Sequence, residues 1–247
     1  MDKKIEKLIK AEKKRQLETL DLIASENMAS QDTLRVLSSS FSNKYSEGYP
    51  GKRYYPGNEY ADQVEELAAE RALKLFGLNK NKWHVNVQPY SGSPANFAIL
   101  LALAPLGRRI MGMKLADGGH LTHGHKVSAT GRLWESVQFG VDPKTGLIDY
   151  DEIRKLAKAH KPRVIISGFT AYPRKVDFKR FDAIAKEVGA YHVADISHIA
   201  GLVVGGAHPS PFPYADVVMT TTHKSLRGPR GAMIFVNKGS SVAKTYG

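Results

Sequence analysis

The rhythm of the sequence changes near Asn58. From there on, short apolar runs alternate with stretches of helical spacing. The helical stretches are Asp62–Phe76, closed by Gly77, then Pro94–Ala104, Asp149–His160 and Phe178–Val188. Asp149 with Glu152 forms a capping pattern, Pro162 ends that helix, Asp177 caps the last one and Gly189 stops it. The apolar runs Trp83–Val87, Ile110–Leu115, Val164–Ile166, Tyr191–Ala194, Val217–Thr221 and Ala232–Val236 read as strands. Strands alternating with helices of this length predict an α/β domain with a mostly parallel sheet. Ligands in such sheets bind beyond the carboxyl ends of the strands, so the residues that follow each strand are the ones to inspect.

The first 60 residues read differently. Asp2 to Leu20 sets Ile5, Leu8, Ile9, Leu17 and Leu20 among Lys and Glu at helical spacing, an amphipathic surface helix or arm. Ser25 to Gly57 is rich in Gly, Ser and Tyr, with Tyr45, Tyr49 and the doublet Tyr54–Tyr55, and has weak periodicity. A long irregular stretch of this kind is usually functional or reaches to another subunit. The expected division is therefore an N-terminal helix and arm over 1–60 and one large domain over 61–247.

Three strand ends carry chemistry. After Trp83–Val87 comes Gln88-Pro89-Tyr90-Ser91-Gly92-Ser93-Pro94, a turn and helix start with Ser93 as expected cap and Pro94 in the first turn. Such a start offers free backbone N–H groups to an anion, although a plain capped helix reads the same way. Asp195 follows Tyr191–Ala194, and Lys224 lies just after Val217–Thr221 in Thr222-His223-Lys224-Ser225. Alone, each is an ordinary surface charge or cap. Together, an anion cradle, a carboxylate and an amine suit pyridoxal phosphate: the lysine for the Schiff base, the aspartate for the ring nitrogen, the helix start for the phosphate. Gly118–His125 holds three histidines after Ile110–Leu115. A ring stacked on the cofactor fits them better than a metal, because the spacing matches no helical pair, the flanking glycines imply a loop, and the chain has no Cys.

With these residues in view, six ordered segments resemble serine hydroxymethyltransferase: Leu22–Asn27, Asn43–Tyr60, Gln88–Ala98, Gly118–Gly124, Val193–Gly206 and Thr220–Gly231. The resemblance implies a fold-type I large domain with a seven-stranded type of sheet, helices on both faces and a helical arm in front. It implies reversible transfer of the hydroxymethyl group of L-serine to tetrahydrofolate, giving glycine and 5,10-methylenetetrahydrofolate. In the family pattern Lys224 matches the Schiff-base lysine, Asp195 the partner of the ring nitrogen and His120 the stacking ring. Gly92, Ser93, Thr170, His198, His223 and Arg230 match other cofactor contacts, and Glu47 matches a general acid or base. Ser25, Tyr45, Tyr54 and Tyr55 match groups beside substrate and cofactor, while Leu115, Gly119 and Leu121 match folate contacts. Tyr45, Glu47 and Tyr55 would serve the neighbouring subunit's site, which implies a homodimer or a tetramer. Tyr90, Pro94 and His125 depart from the pattern, where the family commonly has His, Gln and a small or hydroxyl residue. Family members also run well past position 247, so the resemblance makes this an N-terminal portion without the small domain and without the arginine that pairs with the substrate carboxylate. A folate-independent aldolase of the same fold is the nearest alternative activity.

Composition narrows what is left. Without Cys there is neither a disulfide framework nor thiolate chemistry. No apolar run is long enough for a membrane helix, and the charged start is no signal peptide, so the expected address is the cytoplasm. The net charge of +12 invites nucleic acid as a partner. The basic residues are dispersed apart from Lys3 to Arg15, and no aromatic RNA-recognition signature accompanies them, so nucleic acid is set aside.

Overall fold

The computed structural model describes residues 1–246, with side chains through Ala243. Gly247, the last residue of the expected large domain, lies outside the described residues. In chain order the elements are α1 (Lys3–Glu18), α2 (Gln31–Leu37), the hairpin β1 (Gly48–Tyr49) and β2 (Lys52–Arg53), α3 (Glu59–Leu75), β3 (Trp83–Asn86), α4 (Gly92–Leu103) and β4 (Arg109–Met113). There follow α5 (Ala129–Leu133), β5 (Glu135–Phe139), α6 (Tyr150–His160), β6 (Val164–Ile166), α7 (Phe178–Val188), β7 (Tyr191–Asp195), α8 (Ala200–Val204), β8 (Val217–Thr221), β9 (Ala232–Asn237) and α9 (Ser241–Tyr246).

Seven strands form one sheet in the order β3-β9-β8-β7-β6-β4-β5. β9 is antiparallel to both of its neighbours, β3 and β8, and every other pairing is parallel. Six strands therefore point one way, which collects six strand ends on one edge. The apolar runs are explained by burial on both faces. Along β6, Ile165 packs into one core with Phe139, Ile153, Phe181 and Phe235, while Val164 and Ile166 pack into the other with Leu100, Leu103, Val193 and Val217. The alternation follows from side chains pointing to opposite faces at successive positions.

Several local expectations hold as written. Asp149 accepts the amides of Asp151 and Glu152, Asp177 accepts that of Arg180, and Gly77 and Gly189 adopt positive φ after their helices. Others shift. α3 begins at Glu59 rather than Asp62, and β4 stops at Met113 because the chain bends into a short 3-10 turn at Leu115–Asp117. The cap of α4 is Ser91, not Ser93, and Pro94 sits third in the helix. Pro94 is still tolerated, since first-turn amides have no partner inside the helix. Two elements have no counterpart in the sequence pattern: β5, an edge strand whose Glu135 and Ser136 are exposed, and α2, which is capped by Ser30 inside the stretch expected to be irregular. Among the described residues, no helix is long and apolar enough to cross a membrane.

Candidate active site

The ends of β6, β7 and β8, the loop after β4 and the start of α4 enclose a cleft of about 340 Å³. Glycines make the approach possible. A Cβ on Gly168 would stand 2.6 Å from Asp195 Cβ and 2.7 Å from His123 Cε1, and one on Gly92 would stand 2.8 Å from Thr221 Cγ2. The segment after α1 is drawn to the same place by two long-range bonds: Asn27 Nδ2 donates to the Lys224 carbonyl at 2.8 Å, and Arg227 Nε donates to the Met28 carbonyl at 2.6 Å. This sets Ser25 on the wall of the cleft.

Asp195 is the anionic centre. Its side chain is buried and receives Asn96 Nδ2 and His123 Nε2 on Oδ2, each at 2.9 Å. Oδ1 receives the Ser197 backbone N–H at 3.1 Å and the Ser197 hydroxyl at 2.6 Å. Burial alone would favour the neutral acid, but His123 and then Ser197 and Asn96 outweigh it and hold the carboxyl well below its usual range. Because a carboxylate can only accept, His123 Nε2 carries the hydrogen of that contact.

Lys224 is buried in the same cleft, and its ammonium makes no hydrogen bond or ion pair with any described residue. Burial lowers its pKa, Arg230 adds to the effect, and Asp195 opposes it. The lowered value favours a neutral, nucleophilic amine. His120 and His198 flank the cleft, and burial is the main reason both are pushed down to about 4, leaving neutral imidazoles at ordinary pH. His120 Nδ1 contacts Thr122 Oγ1 at 2.8 Å and accepts the Thr122 amide at 3.2 Å, which fixes the ring. His223, lowered by burial and by Arg230, lies 3.3 Å through Nε2 from Arg230 Nη1.

Four buried polar atoms on the cleft-lining residues have no partner: His123 Nδ1, Thr170 Oγ1, Thr221 Oγ1 and His223 Nδ1. Buried polar groups are nearly always paired, so an unsatisfied set beside a helix start marks a place for a polar ligand. With the amine of Lys224 and the fixed carboxylate of Asp195 lining one cleft, the site can hold an aldehyde, a phosphate and a basic ring nitrogen together.

Of the residues singled out from the sequence, Ser25, Gly92, Ser93, His120, Thr170, Asp195, His198, His223, Lys224 and Arg230 line this one cleft. Tyr45, Glu47, Tyr54 and Tyr55 do not. They are exposed on and around the β1–β2 hairpin, where the Tyr45 and Tyr55 rings meet edge to face at 6.2 Å. Leu115, Gly119 and Leu121 also lie outside it, on the loop after β4, with Gly119 packed so closely that a Cβ would meet the Met113 carbonyl at 2.1 Å. Sequence reasoning missed Asn96, His123 and Ser197 as the residues that surround Asp195. Asn96 lies one helical turn past Gly92, on the face that looks at the sheet, and that spacing was the available signal. Nothing local distinguishes His123 from its two neighbouring histidines.

Comparison with known proteins gives a single answer. The family model described as serine hydroxymethyltransferase matches residues 1–247. A serine hydroxymethyltransferase of Caenorhabditis elegans is 55% identical over 244 residues, covering 97% of this chain and 48% of the relative. Serine hydroxymethyltransferase 1 of Pseudomonas putida is 54% identical over 234 residues, 95% of this chain and 55% of its own. A serine hydroxymethyltransferase of Legionella pneumophila is 56% identical over 238 residues, 96% of this chain and 56% of its own. The chain thus spans about half the length of the curated relatives it matches.

Proposed function

Because this chain belongs to the serine hydroxymethyltransferase family, we propose that its cleft binds pyridoxal phosphate and serves the exchange of a hydroxymethyl group between L-serine and tetrahydrofolate. The products would be glycine and 5,10-methylenetetrahydrofolate. The observation that carries this reading is the shared cleft: a buried amine with no hydrogen bond or ion pair to a described residue and an ionised carboxylate line it together, beside orphaned hydroxyls and a helix start.

When bound, pyridoxal phosphate supplies a ring that takes up an electron pair from a substrate carbon. The residues present fit it. Lys224 would hold the aldehyde through its amine, and the ionised Asp195 would keep a proton on the ring nitrogen. Neutral His120 offers a flat face to the ring without adding a competing charge. The amides of Gly92 and Ser93, with Ser93, Thr170 and His223, would hold the phosphate, and Arg230 adds positive charge nearby. His198 and Ser25 complete the wall on the side of the reacting groups.

The arm has a separate role in this reading. Residues 1–60 form an inter-subunit arm, and residues 61–247 hold the cofactor. Tyr45, Glu47, Tyr54 and Tyr55 stand away from their own chain's cleft on an exposed hairpin, which supports their serving a partner subunit in a homodimer. There the Glu47 carboxyl would give and take a proton at the substrate oxygen. Leu115, Gly119 and Leu121 would meet folate, and the site would work in the cytoplasm.

The test is optical. Pyridoxal phosphate added to the purified chain is expected to give a near-visible band that borohydride removes, and Lys224→Ala is expected to lack it. A folded sample without any such band would sink the reading.

A further inference from the structure

Asp195 meets more donors than a ring-binding carboxylate needs. An ionised carboxylate has about four lone-pair positions. Asn96, His123, the Ser197 amide and the Ser197 hydroxyl already take four. Three of these donors are fixed. Asn96 is buried and also tied to Thr122 Oγ1, His123 is packed against Gly168, and a backbone N–H cannot turn. The Ser197 hydroxyl can turn, and it has a second acceptor within reach, since Met219 Sδ lies 3.6 Å from its oxygen. The Thr221 amide donates to the same oxygen at 3.1 Å and holds it in place while its hydrogen changes partner.

We propose that the Ser197 hydroxyl sets the affinity of the cofactor cleft by occupying Asp195 Oδ1 in the free protein and turning to the Met219 sulfur when a ring N–H arrives. This rests on reading the cleft as a pyridoxal phosphate site. A hydroxyl-to-carboxylate bond is charge-assisted, whereas a thioether is a weak acceptor. The exchange therefore opposes binding and keeps the cofactor releasable. In the free protein the same hydroxyl compensates a buried negative charge, so it stabilises one state at the expense of the other.

The experiment measures the dissociation constant for pyridoxal phosphate, read from the near-visible band, in the wild-type chain, Ser197→Ala, Met219→Leu and the double variant. Urea denaturation of each ligand-free protein accompanies it. Ser197→Ala is expected to bind about three- to tenfold tighter, the range of one hydrogen bond's net contribution. Its ligand-free form is expected to be less stable, because the Thr221 amide loses its acceptor. Met219→Leu keeps core volume but removes the second acceptor, and is expected to bind about threefold weaker. The double variant is expected to match Ser197→Ala, since Met219 acts only through the hydroxyl. Unchanged or weaker binding by Ser197→Ala overturns the proposal, as does a Met219→Leu effect that persists once Ser197 is gone. A wild-type chain with no borohydride-sensitive band removes the cofactor reading and this proposal with it. A normal band with either of the other two outcomes removes this proposal alone.

Discussion

A methyl group on Gly168 would fall inside the van der Waals radii of both Asp195 and His123. The Asp195 Cβ and carbonyl belong to a packed strand end, and the His123 ring is held by its bond to Asp195, so little can yield. Gly168→Ala is expected to cost about 1–3 kcal/mol of stability, as overpacking does, and to weaken pyridoxal phosphate binding, which denaturation and titration of the band would read separately. His192 makes the other residue-scale prediction. Its ring is fully buried, stacked on Phe181, with Nε2 2.7 Å from Ser167 Oγ and Nδ1 3.4 Å from the Tyr214 carbonyl. Nδ1 therefore carries the hydrogen, and Nε2 accepts from Ser167. Burial pushes this histidine down to about 4, with the Tyr214 carbonyl and Asp182 opposing and Lys186 adding slightly. Between about 6.5 and 4 the unfolded chain holds a proton that the folded one lacks, so stability falls as pH drops through that window. At pH 5 the loss from His192 alone comes to about 2 kcal/mol relative to pH 7.5, at about 1.4 kcal/mol per pH unit. Urea unfolding at the two pH values should show it, and His192→Gln should reduce the difference. An equal pH dependence in that variant would show that other groups cause it.

At the scale of elements, the β1–β2 hairpin depends on one side chain. The Arg53 side chain is only 5% exposed and pairs with Asp62 at 2.8 Å and Glu65 at 2.6 Å, both on α3, while donating to the carbonyls of Ser46 and Gly48. Strands of two residues cannot hold a hairpin by ladder bonds alone. Arg53→Ala is expected to free the hairpin, seen as hydrogen exchange at the Tyr54 amide, which is bonded to the Glu47 carbonyl at 3.2 Å, rising by about a hundredfold for a local loss near 3 kcal/mol. Unchanged protection there would show that the ion cluster is not the anchor. Helix caps were legible where a side chain makes the cap, as at Asp149 and Asp177. The cap of α4 was misplaced by two residues, because Ser91 and Ser93 are equivalent on paper and Ser91 makes no side-chain bond that would single it out. Edge strand β5 escaped notice since half of it faces water and shows no apolar run.

For the whole molecule, the notable feature is what the chain leaves uncovered. No residue of α1 or α2 is buried, and Ile5, Leu8, Ile9, Leu17, Leu34 and Leu37 are exposed. Isolated helices of this length are marginal in water, so packing elsewhere must support them. Sedimentation is expected to show a dimer whose melting temperature rises with protein concentration. Replacing Ile9 and Leu17 with glutamate should yield a monomer that keeps the central sheet. A wild-type monomer at every concentration would rule out the arm as an interface. The same surface bears on the site, because Tyr45, Glu47 and Tyr55 are presented to the outside rather than to Lys224.

The α/β class, the helices that carry their own caps, and the placing of the Gly92–Ser93 turn, Asp195 and Lys224 at one edge were legible in the sequence, from local periodicity, turn chemistry and the rule that strand ends gather on one edge. Ser25, Thr170, His198, His223 and Arg230 were reached through the family resemblance, and they line the same cleft. The long-range partners of Asp195 came from the tertiary structure. Asn96 and His123 stand 99 and 72 residues away along the chain and reach the carboxylate across the fold, with Gly168 leaving room for the His123 ring, whereas Ser197, two residues on, is a local turn contact. Whether a polar side chain meets a given carboxylate depends on distances across the fold, and no local pattern encodes them.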